Sequence, residues 1–330
     1  MAIFMEGDRR QQAKTKYGGR KALEFILGHP ANPSRFAMTS SADRPILIYT
    51  VHKAASMFLH RLTRQIAREL EMEYFTINNK AAGYQEVKEL SWNGFIQKYL
   101  SQAEKRACFG PIRSLEAMPS IPEGIEDFSV VLHLRDPRDV LVSSFFSNAF
   151  SHPVNPAIFN PDEAARQEWI ERGIDAFVIE RSPVVIDRYN YVIANLLGRE
   201  NVLFLKYEDM VLNYQEWLAK FLSVFIAPEP NIPTEIQPKG LLSLLEKLPL
   251  VQRKERSPSP TFSTLYQELF EAHKTDFQVE DEDVYRHKRQ VLPGDHTRKL
   301  QPETIAVLNE KFAEILNALG YEPVANSRIR

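Results

Sequence analysis

The sequence is poor in the materials from which small secreted domains and metal-built domains are made. It has a single cysteine, Cys108, in 330 residues. One thiol closes no internal disulfide and supplies too few ligands for a structural zinc site, which points to a reducing, cytoplasmic setting. No cluster of His, Cys and carboxylate has metal-ligand spacing, so no metal is expected. No apolar run approaches the roughly 18 residues of a transmembrane segment. The start has only a short apolar patch at residues 2–5 before polar and basic residues, and so lacks the apolar core of a secretory signal. Net charge is nearly absent too. Lys and Arg sum to 41 and Asp and Glu to 43, a formal −2, so bulk charge does not draw the chain to nucleic acid or an anionic membrane. A local basic pocket remains compatible with that balance. There is no internal repeat and no low-complexity tract.

What is present is an average globular composition, 44% hydrophobic and 25% charged, at a length that suits one large domain or two smaller ones. Three short apolar runs have strand character: residues 45–51, 128–134 and 201–207. None alternates cleanly, which suits strands buried on both faces of a parallel sheet. A shorter strand is expected at residues 107–109. Each of the three main runs is followed by a helical pattern, at residues 57–70, 137–150 and 214–225. Repeated strand-then-helix order predicts an α/β fold, a single domain with a central parallel sheet flanked by helices plus helical and loop insertions. The domain is expected over residues 41–325, behind a partly flexible N-terminal extension over 1–40. Residues 74–106 read as irregular plus helix. Residues 151–200 read as loop, then helices. The proline-rich residues 227–262 read as a lid or docking surface. A closing helix should run from Pro302 to Leu319, with Gly320 as its C-cap.

Two segments carry candidate chemistry. The first, His52-Lys53-Ala54-Ala55-Ser56-Met57-Phe58, sits where a strand ends and a helix begins. Such a loop aims backbone N–H groups and the positive helix end at one point, which suits an anion. Lys53 adds a charge and Ser56 a hydroxyl. It is not the ATP-type loop, which needs two glycines before Lys-Ser/Thr; an ordinary strand–helix loop is the plain alternative. The second, Arg135-Asp136-Pro137-Arg138-Asp139, follows the second main strand, with Ser143 eight positions after Arg135. Arg135 falls at a strand's carboxyl end, the ligand-binding edge of open α/β sheets, and its planar fork suits phosphate. An Arg–Asp network that caps a helix is the plain alternative here.

Together these segments resemble the cofactor site of the sulfotransferases that use 3′-phosphoadenosine 5′-phosphosulfate (PAPS), a P-loop-like α/β family; the likeness is to members of bacterial type. The resemblance implies that Lys53 and the loop through Ala54, Ala55, Ser56, Met57 and Phe58 hold the 5′-phosphosulfate, with Phe58 in place of an adenine-stacking tryptophan. It implies that Arg135 and Ser143 hold the 3′-phosphate. Lys206-Tyr207-Glu208-Asp209 resembles a family segment whose tyrosine lies near the adenine. Arg289-Gln290-Val291, leading to Gly294-Asp295-His296, resembles one that closes over the 3′-phosphate. The implied activity is sulfuryl transfer from PAPS to a hydroxyl or amine of a small-molecule, lipid or carbohydrate acceptor.

This chain departs from the family wording. Ala55 replaces a glycine, Met57 a threonine, Gln290-Val291 a Lys-Gly pair and His296 a tryptophan. The histidine that many members use as base is missing, and counting back lands near Arg113, which orients or stabilises but takes no proton. His52 and Glu116 are the candidate bases, and His133, inside a strand, is expected to be a satisfied core residue. A non-catalytic relative that binds the nucleotide and acts through a partner stays open, as does a P-loop-type kinase.

Overall fold

In the computed structural model, the described residues are 44–76, 81–113, 121–151, 163–229, 260–277, 282–285 and 289–322. The extension expected over 1–40, the candidate base Glu116 and most of the proline-rich segment lie outside them. Five strands form one sheet: β1 (Ile46–Thr50), β2 (Glu73–Phe75), β3 (Ala107–Arg113), β4 (Ser129–Leu134) and β5 (Val202–Lys206). Their order is β2-β3-β1-β4-β5, and every pairing is parallel. β1 lies at the centre with all five residues buried, as its unbroken apolar run requires.

The helices are α1 (Ser56–Glu69), α2 (Ala81–Gln102), α3 (Pro137–Phe146), α4 (Glu163–Leu196), α5 (Tyr207–Leu212), α6 (Tyr214–Leu222), α7 (Phe262–His273), α8 (Asp295–Lys299), α9 (Pro302–Lys311) and α10 (Ala313–Leu319). α1 buries Phe58, Leu59, Leu62 and Ile66, spaced at three and four residues. That stripe meets Trp217, Leu218 and Phe221 of α6 and Leu265 and Leu269 of α7 in one apolar cluster. Fully buried Leu and Ile side chains in such a cluster stabilise by about 1.5–3 kcal/mol each before entropy is subtracted.

The main strands and helices fall where the apolar runs place them, with four differences. β2 is an edge strand of three half-buried residues, too short to leave a periodic signature. β3 runs to Arg113, four residues beyond the expected strand, through a Gly-Pro pair that a sequence reading takes for a break. The helix expected to end at residue 150 stops at Phe146 and passes into one wide turn, Ser147–Ser151. The closing helix is two helices, divided at Phe312, where ψ opens to 6°.

β3 reaches Arg113 only because residue 110 is glycine. The β1–β3 register slips between Leu47 and Tyr49. At that slip Gly110 adopts φ +128°, and a Cβ there would meet the Ile48 carbonyl oxygen at 2.6 Å. A side chain is therefore excluded both by the backbone conformation and by the neighbouring strand. Gly110→Ala is expected to destabilise the fold by roughly 2 kcal/mol or more, read as a lower urea midpoint at unchanged slope.

Candidate functional site

The carboxyl ends of three adjacent strands bring three cations together. Thr50 of β1 pairs in register with Arg113 of β3 on one side and with His133 of β4 on the other. Arg135 follows β4 directly, and Lys53 lies in the loop that leaves β1. Parallel neighbours lie about 4.8 Å apart, so the exits of β3 and β4 are separated by roughly 10 Å with the Lys53 loop between them.

The loop is built without glycine, yet it uses glycine's conformations: Lys53 has φ 66° and Ala55 has φ 57°. Left-handed backbone costs a non-glycine residue about 1–2 kcal/mol. The strain turns the chain sharply from β1 into α1. Ala55, the N-cap, offers no side-chain acceptor, and no acid stands in the first turn of α1. The leading N–H groups of α1 and its positive end are left for a ligand.

Arg135 is the centre of the second half of the site and is 4% exposed. It donates to the Lys53 carbonyl at 3.0 Å and to Asp139 Oδ2 at 3.4 Å, and its guanidinium lies 4.3 Å from the centre of the Tyr207 ring. The Tyr189 hydroxyl donates to the Arg135 carbonyl. Asp139 also accepts the Gly294 N–H at 2.8 Å, the His296 N–H at 2.9 Å and bonds His296 Nδ1 at 2.7 Å. Burial alone would push the Asp139 carboxyl up, but His296 and Arg135 outweigh it and hold it well below the usual range. Next to this pair, Asp136 caps α3 by accepting the Arg138 N–H at 2.9 Å, and its carboxylate pairs with the buried Arg138 side chain at 2.6 Å. The Asp136 N–H donates to Glu208 at 3.0 Å, and Glu208 also accepts the Tyr321 hydroxyl at 2.6 Å.

Lys53 donates to the Ser147 hydroxyl at the head of the wide turn after α3. Its pKa is lowered to about 8 by burial first and then by Arg113 and Arg135. Arg113 is half-buried, and burial alone lowers its pKa. Among the described residues, no carboxylate pairs with it. Cations gathered at one strand edge are chemically suited to an anion.

Ser56 opens α1 and is half-buried, Ala54 is buried and Met57 is 40% exposed. Phe58 is turned into the core, with Tyr214, Trp217, His273 and Phe277 around its ring. Tyr207 is committed to Arg135 and to the Val291 carbonyl, to which its hydroxyl donates at 2.8 Å. Ser143 is half-buried on α3. Arg289 already faces the carboxylates of Glu282 and Asp295 and lies 4.0 Å from the centre of the Phe146 ring. Gln290 folds its side-chain oxygen onto the Val291 N–H at 2.9 Å, and Val291 is buried. His52 is half-buried in the loop. His133 is buried edge-on to Trp217, as a core residue should be, and burial pulls its pKa down to about 3. Its two ring nitrogens lack full hydrogen bonds, so it is not the satisfied histidine the sequence suggested. Among the described residues, no group of His, Cys and acidic side chains is arranged to hold a metal, and no helix is long and apolar enough to cross a membrane.

Ser147 is the residue that sequence reasoning missed. It stands one helical turn beyond Ser143 and three beyond Arg135, so the spacing carried the signal, but the expected end of the helix did not mark the turn that carries it.

A model described as the sulfotransferase domain matches residues 43–316. No curated protein matches. Among solved structures, the chain is similar to mouse sulfotransferase SULT7A1 complexed with PAP, at 13% identity and a TM-score of 0.47, covering 83% of this chain and 85% of that one. It is also similar to a retinol dehydratase in complex with androsterone and inactive cofactor PAP, at 14% identity and a TM-score of 0.42, covering 94% of this chain and 87% of that one.

The Lys53 geometry makes anion binding pH-dependent. In the unliganded fold the ammonium loses its proton near pH 8, whereas an unfolded lysine keeps it to about 10.5. Between those values the unfolded chain binds more protons, so this group makes stability rise with pH across that window and contributes no slope below it. Anion affinity runs the other way, because only the ammonium attracts the ligand. Sulfate affinity measured by calorimetry is expected to fall by up to about tenfold per pH unit above 8, and Lys53→Ala should remove that dependence. An unchanged slope in the variant would show that another group titrates.

Proposed function

The chain belongs to the sulfotransferase family, and from that premise we propose that it transfers a sulfuryl group from PAPS to a hydroxyl of a small-molecule acceptor. The observation that carries the reading is the pair Lys53 and Arg135 at one sheet edge, joined by the Arg135 bond to the Lys53 carbonyl, with uncapped α1 N–H groups after Lys53. Two such cations suit a doubly anionic nucleotide gripped at two points.

In this reading the 5′-phosphosulfate lies over the Lys53 loop and the 3′-phosphate lies toward Arg135, Ser143 and the Arg289 segment. The acceptor oxygen attacks sulfur in line as the bond from sulfur to the bridging oxygen breaks. 3′-Phosphoadenosine 5′-phosphate (PAP) departs with the electron pair, and the acceptor hydroxyl proton passes to a base, for which His52 is the candidate within the described residues. Negative charge gathers on the bridging oxygen. Lys53 and the α1 N–H groups face that charge and stabilise the transition state more than the ground state. Ser147 holds the ammonium in place between turnovers.

Lys53→Ala should lower kcat by ~10²–10³-fold with an unchanged circular-dichroism spectrum, the loss seen when one oxyanion donor is removed. Near-normal turnover would refute the role. Arg135→Lys, which keeps a cation for Asp139 but loses the guanidinium fork, should weaken PAP by roughly tenfold in titration calorimetry. Affinity within twofold of the parent would place the 3′-phosphate elsewhere.

A further inference from the structure

The nucleotide's two grips account for Lys53 and Arg135 but leave Arg113 without a task. The sheet order sets its side. β1 lies between β3 and β4, so Arg113 is on the opposite flank of Lys53 from Arg135. In-line attack requires the incoming oxygen to approach sulfur from the side away from the leaving phosphate. With the nucleotide extending from the Lys53 loop toward β4, that side is the β3 flank. Arg113 is therefore next to the incoming acceptor and distant from the 3′-phosphate.

The side chain is built for an anion rather than for the core. Arg113 is the last residue of β3 and half-buried, with its strand partner Thr50 at 1% exposure. The buried arginines around it are balanced by acids, Arg135 by Asp139, Arg138 by Asp136 and Arg289 by Glu282 and Asp295. Arg113 has no such acid among the described residues, and its charged neighbour is the Lys53 ammonium. Two neighbouring cations with partial burial repel each other, and an anion placed between them removes the cost. The sulfuryl group faces Lys53, so the remaining anion has to arrive with the acceptor. A guanidinium fork matches a carboxylate through two parallel hydrogen bonds.

We propose that Arg113 is an acceptor-binding residue and that the acceptor is a hydroxy acid, whose anionic group docks on the Arg113 guanidinium so that its hydroxyl lies against sulfur. This rests on the sulfuryl-transfer reading above and adds the substrate class to it. The arrangement gives specificity by differential pairing. A neutral analogue leaves the half-buried guanidinium without its partner and is rejected for that reason, even where its shape fits.

The test uses the full chain saturated with PAP and two matched sets of probes: 4-hydroxybenzoate against 4-hydroxybenzamide, and glucuronate and glucose 6-phosphate against glucose. Binding is read by calorimetry, and transfer from PAPS is read with the same compounds. The expected result is that at least one acid probe binds ~10-fold or more tighter than its neutral partner, the worth of a charge-assisted pair. Arg113→Gln should abolish that preference, Arg113→Lys should restore part of it, and PAP affinity should stay within twofold in both variants. Tighter binding of glucuronate than of glucose 6-phosphate assigns the anion as a carboxylate; the reverse assigns it as a phosphate. The proposal is overturned if no acid is preferred to its neutral partner, if the preference survives in Arg113→Gln, or if Arg113→Gln weakens PAP, which would put the residue on the nucleotide. Failure of the parent chain to bind PAP would overturn the sulfuryl-transfer reading itself, and so separates the two.

Discussion

The organisation of the whole edge depends on the buried ion pair between Arg135 and Asp139. The pair joins pieces that are far apart in the chain. Arg135 holds the Lys53 carbonyl, and so fixes the strained loop after β1. Its own carbonyl is held by Tyr189 of α4, and its guanidinium lies on Tyr207 at the end of β5. Asp139 reaches the other way and takes the Gly294 and His296 N–H groups at the start of α8. Removing one member of such a pair costs about 3–5 kcal/mol, because the other is left charged and dry. Here the loss would also release three segments from each other, so the pair acts as the joint of the edge as well as a contact within it.

The pairing of charges then sorts the cations around that joint. Arg138 is balanced by Asp136, and Arg289 by Glu282 and Asp295, so these cations hold parts of the protein together. The expected clamp at Arg289 is thus engaged with acids, and a phosphate would have to compete with Glu282 and Asp295 for it. Arg113 differs in kind: no carboxylate pairs with it among the described residues, and what acts on it is burial. Charges of one sign gathered at a sheet's carboxyl edge raise the local concentration of anions without any excess of charge over the whole chain. This is how a protein of formal charge −2 presents a basic site.

Much of this was legible in the sequence, for physical reasons. Long apolar runs such as residues 128–134 announce buried strands because nothing else tolerates them, and Pro137 after Asp136 marks a helix start because the capping chemistry is local. The Lys53 and Arg135 positions followed from that framework, since both stand just past strand ends. The parts that were not legible depend on contacts distant in sequence. β2 exists because β3 pairs with it, and three residues carry no period of their own. β3 extends through Gly110 and Pro111 because the slip against β1 accommodates them. Phe58 resembles a stacking residue by position, but α6 and α7 fold over it, and which face of α1 they cover is a tertiary fact. Ser147 needed the exact end of α3, and helix ends are the least local feature of a helix.

The loop after β1 shows why geometry outlasts wording. A search keyed to glycines passes over His52-Lys53-Ala54-Ala55-Ser56, because the glycines that favour left-handed backbone are missing. The backbone nevertheless takes that conformation at two non-glycine residues, Lys53 and Ala55. The strain is carried by what surrounds the loop: β1 buried on both faces, the Arg135 bond to the Lys53 carbonyl, and the α1 stripe locked against α6 and α7. Strain persists only where the rest of the fold over-determines it, and such positions gather at ligand sites. Here it turns the chain from β1 into α1 with the leading α1 N–H groups uncapped, and holds the Lys53 side chain where it meets Ser147. The three cations Lys53, Arg113 and Arg135 thus meet at one edge of a nearly neutral protein, with the strained loop holding the first of them between the other two.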